Sequence, residues 1–98
     1  MIYAVLFEDN EDHADKRAGH MQAHLSFLER NAETVKGAGP LKDVADQQPA
    51  GGLWLVEADT AEMVRGLVEA DPFWPTGLRK SVRILSWNQV YSEGARRI

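Results

Sequence analysis

The sequence contains no cysteine, which excludes disulfide bonds, thiolate metal sites and a cysteine nucleophile. Its longest apolar run, residues 2–7, is far shorter than the ~20 residues that a membrane-spanning helix requires. This run also lacks the basic start and the small-residue cleavage site of a signal peptide. We therefore expect no membrane partner and a cytoplasmic location.

Positive charge is scarce, since 11 lysines and arginines stand against 15 aspartates and glutamates, for a net charge of −4. Nucleic-acid binding requires clustered cations that neutralise phosphates, and the densest basic stretch is only Arg79, Lys80 and Arg83. The glycine motifs of nucleotide sites, GxGxxG and GxxxxGKS/T, are absent as well. We expect no nucleic-acid partner, and we predict no cofactor.

The length of 98 residues and the hydrophobic content of 44% predict one globular domain over residues 1–98. A domain of this size buries only about two-thirds of the surface that its unfolded chain exposes. Its stability margin is therefore small, and association with a second copy would increase it.

Hydrophobic periodicity predicts the elements of the first half of the chain. Residues 2–7 form a strand that is apolar on both faces, and residues 14–32 form an amphipathic helix. The apolar stripe of that helix consists of Ala14, Ala18, Met21, Leu25, Leu28 and Ala32. Glycines and a proline limit the next segment to a short, irregular strand within residues 34–44, and residues 47–52 form a loop.

The second half repeats the order of strand, helix and strand. Residues 53–58 form a strand, and a capping-box sequence at residues 59–62 opens a second helix. Asp71-Pro72 ends this helix, because the residue before a proline disfavours the α conformation. Residues 78–91 then alternate between two faces, as a strand does.

An acidic segment joins the first strand to the first helix. It contains Glu8, Asp9, Glu11, Asp12 and Asp15, but it lacks the glycine and the terminal glutamate of a calcium-binding loop. We interpret it as a solvated connector whose charges favour the start of the following helix.

The resulting order, β-α-β-β-α-β, is the split βαβ or ferredoxin-like arrangement of the α+β class. It predicts a four-stranded antiparallel sheet with two helices on one face. The other face also carries apolar side chains and needs a cover, for which the sheet of a second copy is the simplest candidate. We therefore predict a homodimer.

His24 is the first candidate site residue. It lies about 80° from the centre of the apolar stripe, on the same border as Arg17, where an imidazole reaches a cleft while partly desolvated. A partly exposed histidine without a role is the alternative.

His20 and His24 also have the i, i+4 spacing of helical metal ligands, but without cysteine or an HExxH pattern we assign no metal site.

Asp71 is the second candidate. A carboxylate at the C-terminal end of a helix, fixed by the following Pro72, lies at the unfavourable end of the helix dipole. Its alternative role is structural, as the acceptor of a hydrogen bond in the turn that ends the helix. Because the two helices lie side by side in this fold, the end of the second could approach the middle of the first and bring Asp71 near His24.

Several short motifs, in this order, resemble the YCII-related domain family. They are Ala23-His24-Leu25 in a helix that opens with Lys16-Arg17, then Ala38-Gly39-Pro40-Leu41, then Asp71-Pro72-Phe73 with Gly77. The similarity covers nearly the whole chain, from the first strand to Tyr91. It implies a ferredoxin-like fold of the dimeric α/β-barrel group and a cleft whose His–Asp pair is His24 and Asp71. The predicted substrate-binding residues are Arg17, Gly39, Pro40 and Phe73.

The resemblance also indicates a range of chemistry. Most members of the family have no assigned reaction, but one related group eliminates chloride from a chlorinated hydroxyquinol. Other proteins of the wider barrel group act on aromatic or lactone substrates without a cofactor. Members often carry Arg-Pro just ahead of the histidine, where this chain has Met21-Gln22. If that arginine binds an anionic substrate, its role is either absent here or taken over by Arg17.

Three hypotheses of function follow. The first is a cofactor-independent enzyme that acts on a small substrate, including aromatic compounds, by elimination, isomerisation or hydrolysis. In it, His24 moves a proton and Asp71 orients the imidazole ring. The second is a non-catalytic binding or regulatory module that uses the same cleft. The third is a purely structural dimerisation domain, which predicts no cleft.

Overall fold

The computed structural model describes residues 1–98 and contains a four-stranded sheet, two helices and a small C-terminal hairpin. The strands of the sheet are β1 (Ile2–Asp9), β2 (Val35–Lys42), β3 (Pro49–Glu57) and β4 (Arg79–Trp87). The helices are α1 (Asp15–Arg30) and α2 (Ala61–Ala70), and the hairpin consists of β5 (Tyr91–Ser92) and β6 (Ala95–Arg96).

The strand order in the sheet is β2-β3-β1-β4, and each neighbouring pair is antiparallel. One helix connects β1 to β2 and the other connects β3 to β4. This is the ferredoxin-like arrangement, so the predicted α+β fold is confirmed. Neither helix has the length and apolar character needed to cross a membrane.

The hydrophobic core lies between the sheet and the two helices. Alternate residues of the central strand β1, namely Tyr3, Val5 and Phe7, point into this core and are at most 5% exposed. The main side chains that pack against them come from β3, α1 and α2 and are Trp54, Val56, Phe27, Val64 and Val68. The period of two in β1 thus places these three side chains on the face of the sheet that the helices cover.

Both ends of α2 are set by specific residues. Oγ1 of Thr60 accepts a hydrogen bond from the amide of Met63 at 3.2 Å, which satisfies one of the free amides of the first turn. At the other end, Asp71 is extended, with φ −64° and ψ 132°, as a residue before proline should be. The proline therefore fixes the direction in which the chain leaves α2, and with it the position of Asp71.

The buried side of α1 differs from the predicted stripe. Leu25 is 42% exposed, whereas His24 and Phe27 are buried. Met21, Leu25 and Leu28 instead line an open cavity beside the sheet. The helix is rotated in this way because it packs on the core through the large ring of Phe27 and through His24, whose ring nitrogen has a buried partner.

Several strand boundaries also differ from the prediction. β1 continues to Asp9, inside the segment interpreted as a connector, and β3 begins at Pro49, inside the predicted loop. β2 is an eight-residue strand with two register shifts, and its Pro40 is tolerated because β2 lies at the edge of the sheet. β4 ends at Trp87, and Tyr91, which was predicted to continue it, belongs to the hairpin.

The second face of the sheet carries apolar side chains that no helix of the chain covers. Leu85 and Trp87 of β4 are 37% and 44% exposed. The neighbouring residues of β1 and β3 on this face are half-buried, and they are Ile2, Ala4, Leu6, Leu53 and Leu55. The sheet of a second copy would cover this surface, and the homodimer stays a prediction.

Candidate active site

His24 and Asp71 are in direct contact. Nδ1 of His24 lies 2.7 Å from Oδ1 of Asp71, and the two side chains are 9% and 2% exposed. His24 projects from α1, and Asp71 directly follows α2, so the contact joins the two helices. Because an ionised carboxylate only accepts hydrogen bonds, we assign the proton of this contact to Nδ1.

Asp71 also holds the turn that follows α2. The same Oδ1 accepts a hydrogen bond from the amide of Phe73 at 3.2 Å. The structural role considered for Asp71 is therefore present together with its contact to His24. The turn fixes the carboxylate, so it can orient the imidazole ring without itself moving.

Phe73 fixes the His24 ring from another direction. The two rings stack, with their centroids 4.2 Å apart and an angle of 16° between their planes. Nδ1 of His24 is occupied by Asp71, whereas Nε2 forms no hydrogen bond and is not sealed from solvent. Because His24 lines the open cavity, Nε2 is the ring nitrogen that a ligand can reach.

The cavity occupies about 550 Å³, a volume that includes the part open to solvent. The predicted substrate-binding residues Arg17, Gly39, Pro40 and Phe73 all line it together with His24. Asp71 does not line the cavity, and its carboxylate contacts Nδ1 of His24 on the side of the ring that faces away from the cavity. That these residues bind a substrate stays a prediction.

A glycine allows the chain to pass close to β1 at the cavity wall. Gly51 has φ +87°, and a Cβ atom at this position would collide with the carbonyl oxygen of Phe7. Both the positive φ and the lack of space therefore require glycine. Gly52 follows it, and a Cβ there would lie 3.5 Å from Nη1 of Arg79. The two glycines bring the backbone of β3 against the charged end of the cavity.

One buried carboxylate, Asp9, organises that charged end. Its Oδ1 accepts a hydrogen bond from Nη1 of Arg79 at 3.0 Å, and its Oδ2 accepts one from Nη2 of Arg17 at 2.8 Å. The Asp9 side chain is 2% exposed, so the interpretation of the acidic segment as solvated is wrong at this residue. Burial is tolerated because two guanidinium groups compensate the desolvation of one carboxylate.

Arg79 is a cavity residue that the sequence pattern did not indicate. Its side chain is 8% exposed, and its guanidinium carbon lies 4.0 Å from the centre of the Phe7 ring and 5.4 Å from that of Phe73. Asp9 and Arg79 are register partners at the ends of β1 and β4. Once the strand order is known, the opposite charges at the paired ends of β1 and β4 would predict this contact.

The Nδ1 atoms of His20 and His24 have different partners. Nδ1 of His20 lies 3.1 Å from the carbonyl oxygen of Lys16, on its own helix. Nowhere in the chain do three histidine, aspartate or glutamate side chains come together in a way that could hold a metal ion.

Comparison with known proteins agrees with this fold. The profile of the YCII-related domain matches residues 1–88. Among solved structures, the chain is similar to 5-chloro-2-hydroxyhydroquinone dehydrochlorinase from Burkholderia phenoliruptrix, in complex with 2,5-dihydroxybenzoquinone. The TM-score is 0.78 and the sequence identity 25%, over 90% of this chain and 94% of that chain. No curated protein matches the chain.

Proposed function

Since this chain belongs to the YCII-related domain family, we propose that it is a small-molecule enzyme in which His24 transfers a proton and Asp71 orients its ring. The observation that carries this proposal is the buried contact of 2.7 Å between Nδ1 of His24 and Oδ1 of Asp71, at the wall of an open cavity. The reaction is an elimination, isomerisation or hydrolysis that begins with removal of a proton from the substrate.

The contact with Asp71 determines which nitrogen of His24 acts. With Nδ1–H donated to the carboxylate, the lone pair of Nε2 is the available proton acceptor. When Nε2 takes a proton, the Asp71 carboxylate stays ionised and stabilises the positive charge of the imidazolium. Because both side chains are buried, little water weakens this interaction.

The cavity wall favours a small planar substrate. Phe73 and Trp54 provide aromatic surface, and α1 provides the side chains of Met21, Leu25 and Leu28. The similar dehydrochlorinase is in complex with 2,5-dihydroxybenzoquinone, which is a planar ring with hydroxyl and carbonyl oxygens. We therefore take hydroxylated aromatic and quinone rings as the proposed substrate class.

The proposed enzyme is a homodimer in which the uncovered face of the sheet packs against the same face of a second copy. The exposed Leu85 and Trp87 support this assembly, because apolar side chains on one contiguous face favour burial against another apolar surface.

Proton exchange provides the test. In D₂O, proton NMR follows the exchange of the ring hydrogens of 2,5-dihydroxybenzoquinone, and chloride release follows turnover of 5-chloro-2-hydroxyhydroquinone. We expect the wild-type protein to accelerate at least one of these reactions. His24→Gln should lower that acceleration about 10²–10⁴-fold, because it removes the proton acceptor. His20→Gln is the matched control, since His20 lies one turn away on the same helix and does not line the cavity.

A non-catalytic binding module is the alternative, and the same experiment distinguishes it. Such a module would bind these rings saturably without exchange or chloride release, and its binding would tolerate His24→Gln. Equal rates for the wild-type and His24→Gln proteins would contradict the proposed role of His24.

A further inference from the structure

We infer that Arg79 is a second catalytic residue, whose guanidinium group binds the oxygen of the substrate anion that forms when His24 removes a proton. The inference rests on the proposed function of His24. It narrows the substrate class to phenols, enols and related compounds whose conjugate base carries its charge on oxygen.

Arg79 is a buried cation with unused hydrogen-bond donors. A guanidinium group carries five N–H donors, and in Arg79 only Nη1 donates a hydrogen bond, to Asp9 at 3.0 Å. Nε is sealed from solvent without a partner, whereas Nη2 is not sealed, forms no hydrogen bond and has only a long ion pair of 3.9 Å with Oδ2 of Asp71. Arg79 lines the cavity, so Nη2 is free to donate to a ligand. Because a charged N–H donor forms a stronger hydrogen bond than a neutral one, Nη2 favours an acceptor oxygen of a ligand.

The position of Arg79 relative to His24 suits a shared substrate. Phe73 lies against both residues, stacked on His24 with centroids 4.2 Å apart and 5.4 Å from the guanidinium carbon of Arg79. Asp71 also lies between them, since Oδ1 contacts His24 and Oδ2 lies 3.9 Å from Nη2 of Arg79. His24 and Arg79 therefore line the same cavity beside the same two side chains, Phe73 and Asp71, and in the proposed step one small ring lies against both.

Arg17 fits this role less well, although it was the residue expected to bind an anionic substrate. Its side chain is 26% exposed, compared with 8% for Arg79. Nη2 of Arg17 also lies 3.8 Å from Oε1 of Glu11, whose side chain is 55% exposed. An anion near Arg17 would meet water and a competing carboxylate, whereas near Arg79 it would be largely shielded from solvent.

The charges of the site match a substrate anion. The two arginines offset the two buried carboxylates of Asp9 and Asp71, so this group carries no net charge while His24 is neutral. Proton transfer adds one positive charge to His24 and leaves one negative charge on the substrate. The imidazolium then has Asp71 as its partner, and the substrate anion has Arg79.

The proposed step is a balanced proton transfer. The O–H bond of the substrate breaks, the proton bonds to Nε2 of His24, and the electron pair stays on the oxygen, which accepts a hydrogen bond from Nη2 of Arg79. In a substrate with an acidic C–H next to a carbonyl, the electron pair moves to the carbonyl oxygen as the enolate forms. A fixed donor at the atom where charge develops stabilises the anion more than the neutral substrate, and this lowers the barrier.

The experiment uses 4-nitrophenol as the probe, because its phenol and phenolate forms absorb at different wavelengths. In the His24→Gln protein no imidazole lines the cavity, so the ionisation of a bound probe reports on the two cations there, Arg79 and Arg17, which the variants of Arg79 then distinguish. We expect the bound probe to ionise at a pH about 1–3 units below that of the free probe, because a cation lies close to its oxygen.

Three further variants, each combined with His24→Gln, complete the design. Arg79→Met should abolish the shift in ionisation, and Arg79→Lys should keep part of it, because the charge remains while the planar fork is lost. Arg65→Met is the matched control, since Arg65 also lies over an aromatic ring, 5.2 Å from the centre of Trp74, but does not line the cavity. It should leave the shift unchanged.

Each outcome separates the two proposals. An unshifted probe in the His24→Gln protein, or a shift that survives Arg79→Met, would overturn the role of Arg79 and leave that of His24 to the exchange experiment. Failure of the wild-type protein to bind the probe at all would also overturn the role of Arg79 and leave that of His24 to the exchange experiment. If Arg79 served only to hold the fold, Arg79→Lys would lower the melting temperature and leave the ionisation of the bound probe unchanged, which would also overturn the inference.

Discussion

His24 and Asp71 meet across 47 residues of sequence, with Nδ1 and Oδ1 2.7 Å apart, because Pro72 ends α2 where it reaches α1. The contact joins two helices that have no other side-chain hydrogen bond or ion pair between them. The orientation of the imidazole ring therefore depends on how the two helices pack on the sheet. Single substitutions can test this dependence.

Replacement of Asp71 by asparagine separates orientation of the imidazole from folding. The amide oxygen can still accept a hydrogen bond from Phe73, but it carries no charge to stabilise an imidazolium. We expect kcat to fall about 10²-fold or more, with little change in KM. Glu69→Gln is the control, because Glu69 is 48% exposed on the same helix, and it should change neither constant. Wild-type kcat in Asp71→Asn would remove Asp71 from the mechanism.

Two glycine substitutions should have effects of opposite sign. Gly51→Ala is expected to lower the free energy of unfolding by more than about 1 kcal/mol, because of its φ of +87° and the collision with Phe7. Gly66→Ala should raise it by about 0.5–1 kcal/mol, since Gly66 lies inside α2 with nothing within 4 Å of the added Cβ. Urea unfolding measures both. A Gly51→Ala protein as stable as the wild type would contradict the close approach of β3 to β1.

The rotation of α1 predicts that neighbouring side chains serve different purposes. Leu25 is 42% exposed and lines the cavity, so Leu25→Asn should weaken binding of hydroxylated aromatic rings while changing the free energy of unfolding by only about 0.5 kcal/mol. Phe27 is 5% exposed in the core, and Phe27→Ala should lower that free energy by about 3–5 kcal/mol. Equal losses of stability in the two variants would show that the stripe belongs to the core after all.

The proposed homodimer can be tested at the uncovered face of the sheet. Size-exclusion chromatography with light scattering should show a dimer for the wild type and a monomer for Trp87→Glu, because burial of an unpaired charge is unfavourable. Val44→Glu should remain dimeric, since Val44 is 89% exposed between β2 and β3. A wild-type protein that stays monomeric at high concentration would contradict the assembly.

Most of the fold could be predicted because its main elements carry local signals. A continuous apolar run marks β1, alternation marks β4, and α2 has both a capping residue, Thr60, and a stop at Asp71-Pro72. The length of β2 was underestimated because an edge strand buries few apolar side chains and so has a weak hydrophobic pattern. Its glycines and Pro40 fit there, although their local preferences predict a break in the strand.

The site was harder to predict, for two physical reasons. An apolar stripe on a helix has the same sequence pattern whether it faces a core or a cavity, so the burial of His24 in place of Leu25 could not be read from α1 alone. Asp9 and Arg79 are 70 residues apart, and their pairing arises from the register of β1 and β4. No local window contains that information, and the position of Asp71 beside His24 was expected mainly from the family resemblance.

Because α1 presents an apolar wall to the cavity, a ligand bound there should raise the free energy of unfolding, and this increase can reveal which compounds bind. A compound that fills the cavity binds only the folded chain, and at 100-fold excess over its Kd it adds about 2.7 kcal/mol to the free energy of unfolding. In a chain of 98 residues, each kcal/mol shifts Tm by roughly 4–8 °C. Thermal denaturation in the presence of a library of phenols and quinones would therefore rank ligands before any reaction is known.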